Sequence, residues 1–587
     1  MLVFSDAERV ADTRRALHAL RAKWRGLARA GRLPWASRHA RLVALFVDVS
    51  ELLQAIVDHE FQRTRIDRPS PTALAAAHAL TALARALRAS WHGRVECPDP
   101  HALDAFFEMP IPERARLRAM EGYTHYAVYP EMYVLAAEQA RAAASEWCVV
   151  GIRSIGLSLG ACVAAGLDAP APFSVRPIGP PFQRALAIGP ALEARLLQGP
   201  EAAYAIVDEG PGLSGSSFGC VADWLEARKV APERIHFFPS HRGDVGARGS
   251  EAHRARWKRS ARHVIDFEDV FLHGPAKDAR LEQMFVDHLG PPEGPCEDLG
   301  AGAWRAHRFA HERDWPACLP HRERRKYRVR AAGTSWLLRF AGLGRYGEEM
   351  MARARRLAAE GLVPPVLAYR HGFIAEEWLG DHIPLSVADV PRADVVEAVV
   401  RHLTFLARER AQGAAMGAMP LRLLEMLEHN IRSALGQEMA RHARQRWEGA
   451  LREVVACHEP ILGDNKMHAW EWLVAPNGRI LKTDALDHHA AHDLIGAQDI
   501  GWDMAGARIE LGLSNADHES LVRAVALRTG YRRTHTQLAF YQLAYAAFQL
   551  GLHTMQRDAL EAGHPEIPRL QAACTRYAQI IGRLLYA

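Results

Sequence analysis

At 587 residues the chain is too long for a single core, so two or three domains are expected. Its 73 Lys and Arg against 68 Asp and Glu leave a net charge of +5, which excludes a strongly basic nucleic-acid or anionic-membrane surface as the organising feature. With 49% hydrophobic and 24% charged residues, the balance is that of an ordinary globular protein.

The eight cysteines, Cys97, Cys148, Cys162, Cys220, Cys296, Cys318, Cys457 and Cys574, contain no CxxC pair. This argues against a zinc ribbon or a secreted disulfide framework. The start lacks an apolar signal core. The most apolar early stretch, Leu42 to Val57, carries Asp48 and Glu51, so no bilayer span and a cytoplasmic location are expected.

Residues 1–100 read as a helical extension. Ser5 and Glu8 have capping-box spacing ahead of an Ala/Leu/Arg run, and further helices are predicted over Ala40 to Phe61 and Thr72 to Trp91. A packing or homodimerisation role is expected for this segment.

Residues 101–300 alternate short apolar runs with amphipathic helices. Strands are predicted at Trp147 to Ile152, Tyr204 to Val207 and Ile235 to Phe238, with helices at Leu157 to Gly166 and Phe218 to Arg228. That alternation predicts an α/β unit with a parallel sheet. Gly290 to Pro295 reads as a linker. Residues 301–587 open with strands near Tyr327–Ala331, Trp336–Phe340 and Phe373–Glu377 and turn mostly helical after Pro391. A hairpin is predicted around Asn477-Gly478. The second half is therefore expected to be α+β and bilobal.

The strongest motif is Ala205 to Phe218, AIVDEGPGLSGSSF. An apolar strand ends in Asp208 and Glu209, and Gly210 to Leu213 turns the chain. Ser214, Gly215, Ser216 and Ser217 then open a helix. Glycines admit close backbone approach, a helix N-terminus favours an anion, and the acids can accept hydrogen bonds from sugar hydroxyls. A generic nucleotide-binding sheet with an acidic loop has the same ingredients.

This segment resembles the type I phosphoribosyltransferases, with a longer, more glycine-rich turn than theirs. The resemblance extends to Val149 to Gly156, at the position of the family's pyrophosphate loop. It implies that Arg153 pairs with pyrophosphate and that backbone groups from Ser154 to Gly156 cap it, with Arg176 and Arg184 on an arm between the two loops. It also implies displacement of pyrophosphate from phosphoribosyl pyrophosphate with Mg2+, with Asp208 and Glu209 fixing the ribose. Candidate acceptor contacts are the aromatic group His125, Tyr126, Tyr129 and Tyr133, for which core packing is the plainer reading, and His241 with Arg242 beyond the strand at Ile235 to Pro239.

In the second half, Asp464 precedes the Asn477-Gly478 hairpin and Asp484 follows it. Two acids bracketing a hairpin can converge as phosphoryl transfer requires, one near the attacking hydroxyl and one on Mg2+. Residues 320–587 resemble the aminoglycoside and choline kinase superfamily. The resemblance implies Asp464 as catalytic-loop acid, Asp484 as metal ligand and Asp503 as buttress of the loop. Arg339 stands where the ATP lysine is usual. Gly347, Glu348 and Glu349 open the next helix, and Phe373 to Gly380, with Glu377, forms the adenine hinge. Leu462 and Ala469 replace a histidine and a metal-binding asparagine of that family. The HHxxH group at His488, His489 and His492, with Asp487 and Asp493, matches no standard zinc spacing and reads as a local structural or substrate contact, with a ligand role beside Asp484 as the alternative.

The expected function is a bifunctional transferase: phosphoribosyl pyrophosphate is used in residues 101–300 and ATP in residues 301–587, on a small-molecule acceptor. The alternative is a ligand-sensing protein with a degenerate kinase half.

Overall fold

The computed structural model describes residues 1–587 except 6–7, 29–33, 97, 99, 181, 213, 247–248, 321, 412–416 and 587. Leu213 of the Gly/Ser turn and Cys97 therefore lie outside the described residues.

Five parallel strands form the sheet of the first half, in the spatial order Phe173–Val175, Trp147–Ile152, Ala203–Val207, Ile235–Phe238, Ala261–Arg262. Numbered along the chain, that order is 2-1-3-4-5. The direction of winding reverses between the first and third strands, and ligands of open α/β sheets bind at the carboxyl ends beside such a reversal. The strand Ala203–Val207 shows why the sheet is buried on both faces. Ala203, Ala205 and Val207 enter one core while Tyr204 and Ile206 enter another, the two-residue alternation of a pleated strand.

The second half begins with a five-stranded sheet in the order Val366–Arg370, Phe373–Glu377, Thr334–Phe340, Lys326–Ala331, Glu297–Asp298, all neighbours antiparallel. The helix Arg345–Ala359 crosses it. Helices then dominate, interrupted by the hairpin Trp472–Val474 and Ile480–Lys482. No helix among the described residues is long and apolar enough to cross a membrane.

The extension helices Trp35–Thr64 and Pro71–Trp91 share a core with both sheets. One apolar core runs from Leu17 through Phe46, Leu80, Ala161 and Val207 to Phe340 and Phe373, so it crosses both boundaries expected near 100 and 300. Arg345, at the start of its helix, reaches back to Asp48 at 3.0 Å and to Glu51.

Two local expectations are corrected. Glu8 does not cap a helix; Glu8–Asp12 is a strand paired antiparallel with Arg114–Arg118. The helix begins at Thr13, where Asp12 Oδ1 accepts the Arg15 N–H at 2.8 Å. The Gly290 to Pro295 segment is not a free linker. Glu293 N–H donates to Arg330 O at 2.8 Å and Pro292 bridges to Ala331, which docks the segment on the sheet edge.

Candidate functional site

The topology brings the loop after Ile152 and the loop after Val207 to the same edge of the parallel sheet. The two chains meet there very closely. A Cβ on Gly156 would lie 2.7 Å from Val207 O, so glycine is required by the packing of the helix Gly156–Leu167 on the neighbouring strand. Gly215 has φ +61 and turns the chain into the helix Ser216–Glu226. Ser154 is exposed, while Asp208, Glu209, Ser214 and Ser217 are half-buried. Ser214 Oγ accepts the Ser216 N–H at 3.3 Å and contacts Ser216 Oγ at 2.8 Å, so the serines brace the turn.

Asp208 Oδ1 accepts the Glu209 N–H at 2.8 Å, and Tyr133 Oη donates to Asp208 O at 2.8 Å. Burial pushes the Asp208 carboxyl up to about 7 against that hydrogen bond and the charge of Arg176. Glu209 turns the other way: its Oε2 accepts the Gly122 N–H at 3.0 Å, and burial with the nearby Glu121 raises it further.

Arg153 is a correction. Its guanidinium does not face the loop edge but is buried between Asp58 at 2.8 Å and Asp67, with Ser174 O and Oγ at 3.1 and 3.0 Å. Two carboxylates from the extension thus consume the charge assigned to pyrophosphate. Arg176 joins the same group through Asp58 and the Arg153 carbonyl. Of the aromatic group, Tyr129 and Tyr133 are core residues, whereas His125 and Tyr126 line a cleft of the second half.

That cleft, of about 220 Å³, lies between the antiparallel sheet and the helical region. Arg339 and Glu376 come from the sheet, Glu377 and Trp378 from the strand end, Lys466 from the loop after Asp464, and Asp484, Asp487 and His488 from the segment after the hairpin. Arg339 Nη1 lies 3.3 Å from Asp484 and 3.7 Å from Asp487. Its Nε is buried without a hydrogen-bond partner among the described residues. Ligand atoms of Asp484, Asp487 and His488 lie within 4.8 Å of one another. Burial and Lys466 oppose protonation of His488, yet Asp484 and Asp464 carry it up to about 9. Its Nε2 lies 3.4 Å from Asp484. Two carboxylates are a usual protein share of a Mg2+ shell, so Asp484 and Asp487 fit that ion, with His488 beside them.

Asp464 is a second correction. It was expected beside the attacking hydroxyl, but it is fully buried. His402 Nε2 at 2.9 Å, His488 Nδ1 at 3.2 Å and Lys482 Nζ at 3.5 Å surround it. Burial alone would raise its carboxyl; Lys482 and the two histidines hold it below the usual range instead. Asp503 braces the loop by accepting the Asp464 and Asn465 N–H groups at 3.0 and 2.7 Å.

Glu348 is a third correction. It lines a separate cavity beside His39 and Tyr369, because Arg345 ties that first helical turn to the extension. The helix reaches the Asp464 loop through Arg353, which donates to Leu462 O at 2.7 Å and contacts His489 Nδ1 at 3.1 Å. At the hinge, Glu377 N–H donates to Pro365 O and Trp378 N–H to Ser335 O, both at 3.0 Å, and Arg308 donates to Leu379 O at 2.5 Å. Glu377 lies at the rim of the cleft, where the strand ends.

Sequence reasoning missed Lys482, His402, Arg322 and Arg324. Arg324 pairs with Asp487 and Arg322 with Asp493, fixing the histidine-rich segment. Lys482 stood in view beside Asp484; His402 carried no local signal, being a lone histidine inside a helix. The two candidate sites adjoin: His492 Nε2 lies 3.0 Å from Glu121, next to the Gly122 N–H that Glu209 accepts.

No family model matches the sequence, and no curated relative does. Among solved structures, choline kinase LicA from Streptococcus pneumoniae is similar at 14% identity, with 43% of this chain and 89% of that chain covered and a TM-score of 0.31. A choline/ethanolamine kinase family protein from Mesorhizobium loti is similar at 15% identity, covering 50% and 92%, TM-score 0.31. Spectinomycin phosphotransferase APH(9)-Ia, solved with ADP and spectinomycin, is similar at 12% identity, covering 52% and 97%, TM-score 0.33. At these scores none of the three bears on what the cleft does.

Proposed function

We propose that the second-half cleft binds a nucleoside triphosphate with Mg2+ and transfers a phosphoryl group to a small molecule. The observation that carries the reading is the meeting of Asp484 and Asp487 with Arg339 across one cleft wall, with Arg339 Nε left without a partner among the described residues. Such a pairing supplies what phosphoryl transfer needs: carboxylates for the cation and a guanidinium for phosphate oxygens. Calorimetric titration with a non-hydrolysable ATP analogue and Mg2+ tests it. Binding is expected in the wild-type chain and loss of its Mg2+ dependence in Asp484→Asn; absence of binding overturns the reading.

A second reading, ligand sensing without turnover, is favoured by the burial of Asp464 behind His402, Lys482 and His488. Binding with no release of ADP in the presence of candidate acceptors distinguishes it.

For the first half we propose binding of a ribose 5-phosphate group, as in phosphoribosyl pyrophosphate, at the switch point of the sheet. Asp208 would take the ribose and the Ser214–Ser217 turn the phosphate. With Arg153 consumed by Asp58 and Asp67, binding of the sugar phosphate is better supported than displacement of pyrophosphate. Titration with phosphoribosyl pyrophosphate against Asp208→Asn is the test.

A further inference from the structure

A buried group outside both sites gathers three side chains from three separate elements. His39 lies in the helix Trp35–Thr64, Glu131 in the helix Pro130–Ala140, and His371 in the turn between strands Val366–Arg370 and Phe373–Glu377. They are 2%, 2% and 9% exposed. We propose that His39, Glu131 and His371 form a binding site for one divalent transition-metal ion of the zinc class.

Both histidines aim Nε2 at one oxygen: each lies 2.9 Å from Glu131 Oε1. A chain of ordinary hydrogen bonds does not account for this. Both rings crowd onto Oε1, while Glu131 Oε2 is buried without a hydrogen-bond partner among the described residues. An orphaned buried polar atom costs about 1–3 kcal/mol, so one on this carboxylate needs an explanation. A cation among the three side chains supplies it.

The donor set suits that class of ion. Two imidazoles and one carboxylate form a recurrent three-ligand zinc set with a fourth position left open. Bonds of 2.0–2.1 Å in a tetrahedron separate ligand atoms by about 3.3 Å, a few tenths more than the present 2.9 Å. His39 Nδ1 contacts Ser90 Oγ at 3.0 Å, the outer-shell contact that fixes a ligating ring. Tyr129 Oη holds the turn by donating to His371 O at 2.7 Å. The turn itself, with φ 40 at His371 and 93 at Gly372, is a two-residue hairpin connection in which histidine occupies a left-handed position. A cavity of about 240 Å³ lined by His39 and His371 adjoins the group. Since the three elements belong to the extension, the parallel-sheet unit and the antiparallel sheet, the ion would clamp the joint between the halves.

The test is metal analysis of the full-length chain, stripped with chelator, reloaded with Zn2+ or Co2+ and desalted. The expected result is about one equivalent retained, with a visible Co2+ absorption of tetrahedral type. Glu131→Gln and His371→Asn should each weaken affinity at least about 100-fold, the upper end of what losing an outer-shell partner does. Asp484→Asn should retain the ion. Zn2+ should also raise the thermal midpoint of the wild-type chain, a readout that survives if a variant fails to fold. No retained metal in the wild-type chain overturns the proposal. So does metal lost from Asp484→Asn but kept by both site variants, which would assign it to the cleft.

Discussion

Arg153 and Arg339 invite comparison. Each was read from sequence as the cation that meets phosphate in its half, and each is almost fully buried, at 3% and 4% exposure. Arg153 is saturated: Asp58, Asp67 and Ser174 take its guanidinium from several sides. Arg339 lines a cleft, contacts Asp484 and Asp487 through Nη1, and keeps Nε unpartnered among the described residues. Burial therefore does not separate a structural arginine from a ligand-facing one. What separates them is whether the hydrogen-bonding capacity is used up within the fold.

The largest way to break the comparison is Arg153→Ala. It leaves Asp67 buried without its guanidinium and Asp58 with Arg176 alone, and should cost about 3–5 kcal/mol in chemical denaturation, with nucleotide affinity in the cleft unchanged. Loss of phosphoribosyl pyrophosphate binding at full stability would instead restore Arg153 as a ligand contact. Next comes Asp503→Ala, which orphans the Asp464 and Asn465 N–H groups and should cost about 2–4 kcal/mol. Arg339→Ala should act on binding, weakening the nucleotide about tenfold to a hundredfold by calorimetry, the range of one charge-assisted hydrogen bond. A melting shift without an affinity change would make the two arginines equivalent.

The smallest effect is a pH dependence at Asp208. Its carboxyl is raised from 3.8 to about 7, so between those values the folded chain keeps a proton that the unfolded chain has lost. Its contribution to stability therefore falls as pH rises through that window and levels off above about 7. Sugar-hydroxyl recognition uses the ionised form, so phosphoribosyl pyrophosphate affinity should rise from pH 6 to pH 8. Asp208→Asn should flatten both profiles, measured by thermal melting and by titration.

Much of the secondary structure was legible because it rests on local pattern. The apolar runs at Trp147, Ala205 and Ile235 gave strands, and Asn477-Gly478 gave a hairpin. The short edge strands Phe173–Val175 and Ala261–Arg262 were not legible, since a few residues carry no periodicity. Glu8 has the local spacing of a helix start, and the strand it forms is hidden because its pairing partner lies about a hundred residues away. Asp484 and Arg339, singled out by their motifs, lie in one cleft. Arg322, Arg324 and His402 were not singled out, because an arginine or histidine has the same local appearance on a solvated helix and in a cleft.

The sequence by itself determined the strand and turn residues, the acids at their ends and the glycines at Gly156 and Gly215, because backbone conformation and apolar alternation are local properties. Only the tertiary structure decided which charges remain available. Asp58 and Asp67, far from Arg153 in the chain, close around it, and His402 and Lys482 close around Asp464. Charge compensation in a buried site depends on what arrives from elsewhere in the chain, and no local spacing encodes it.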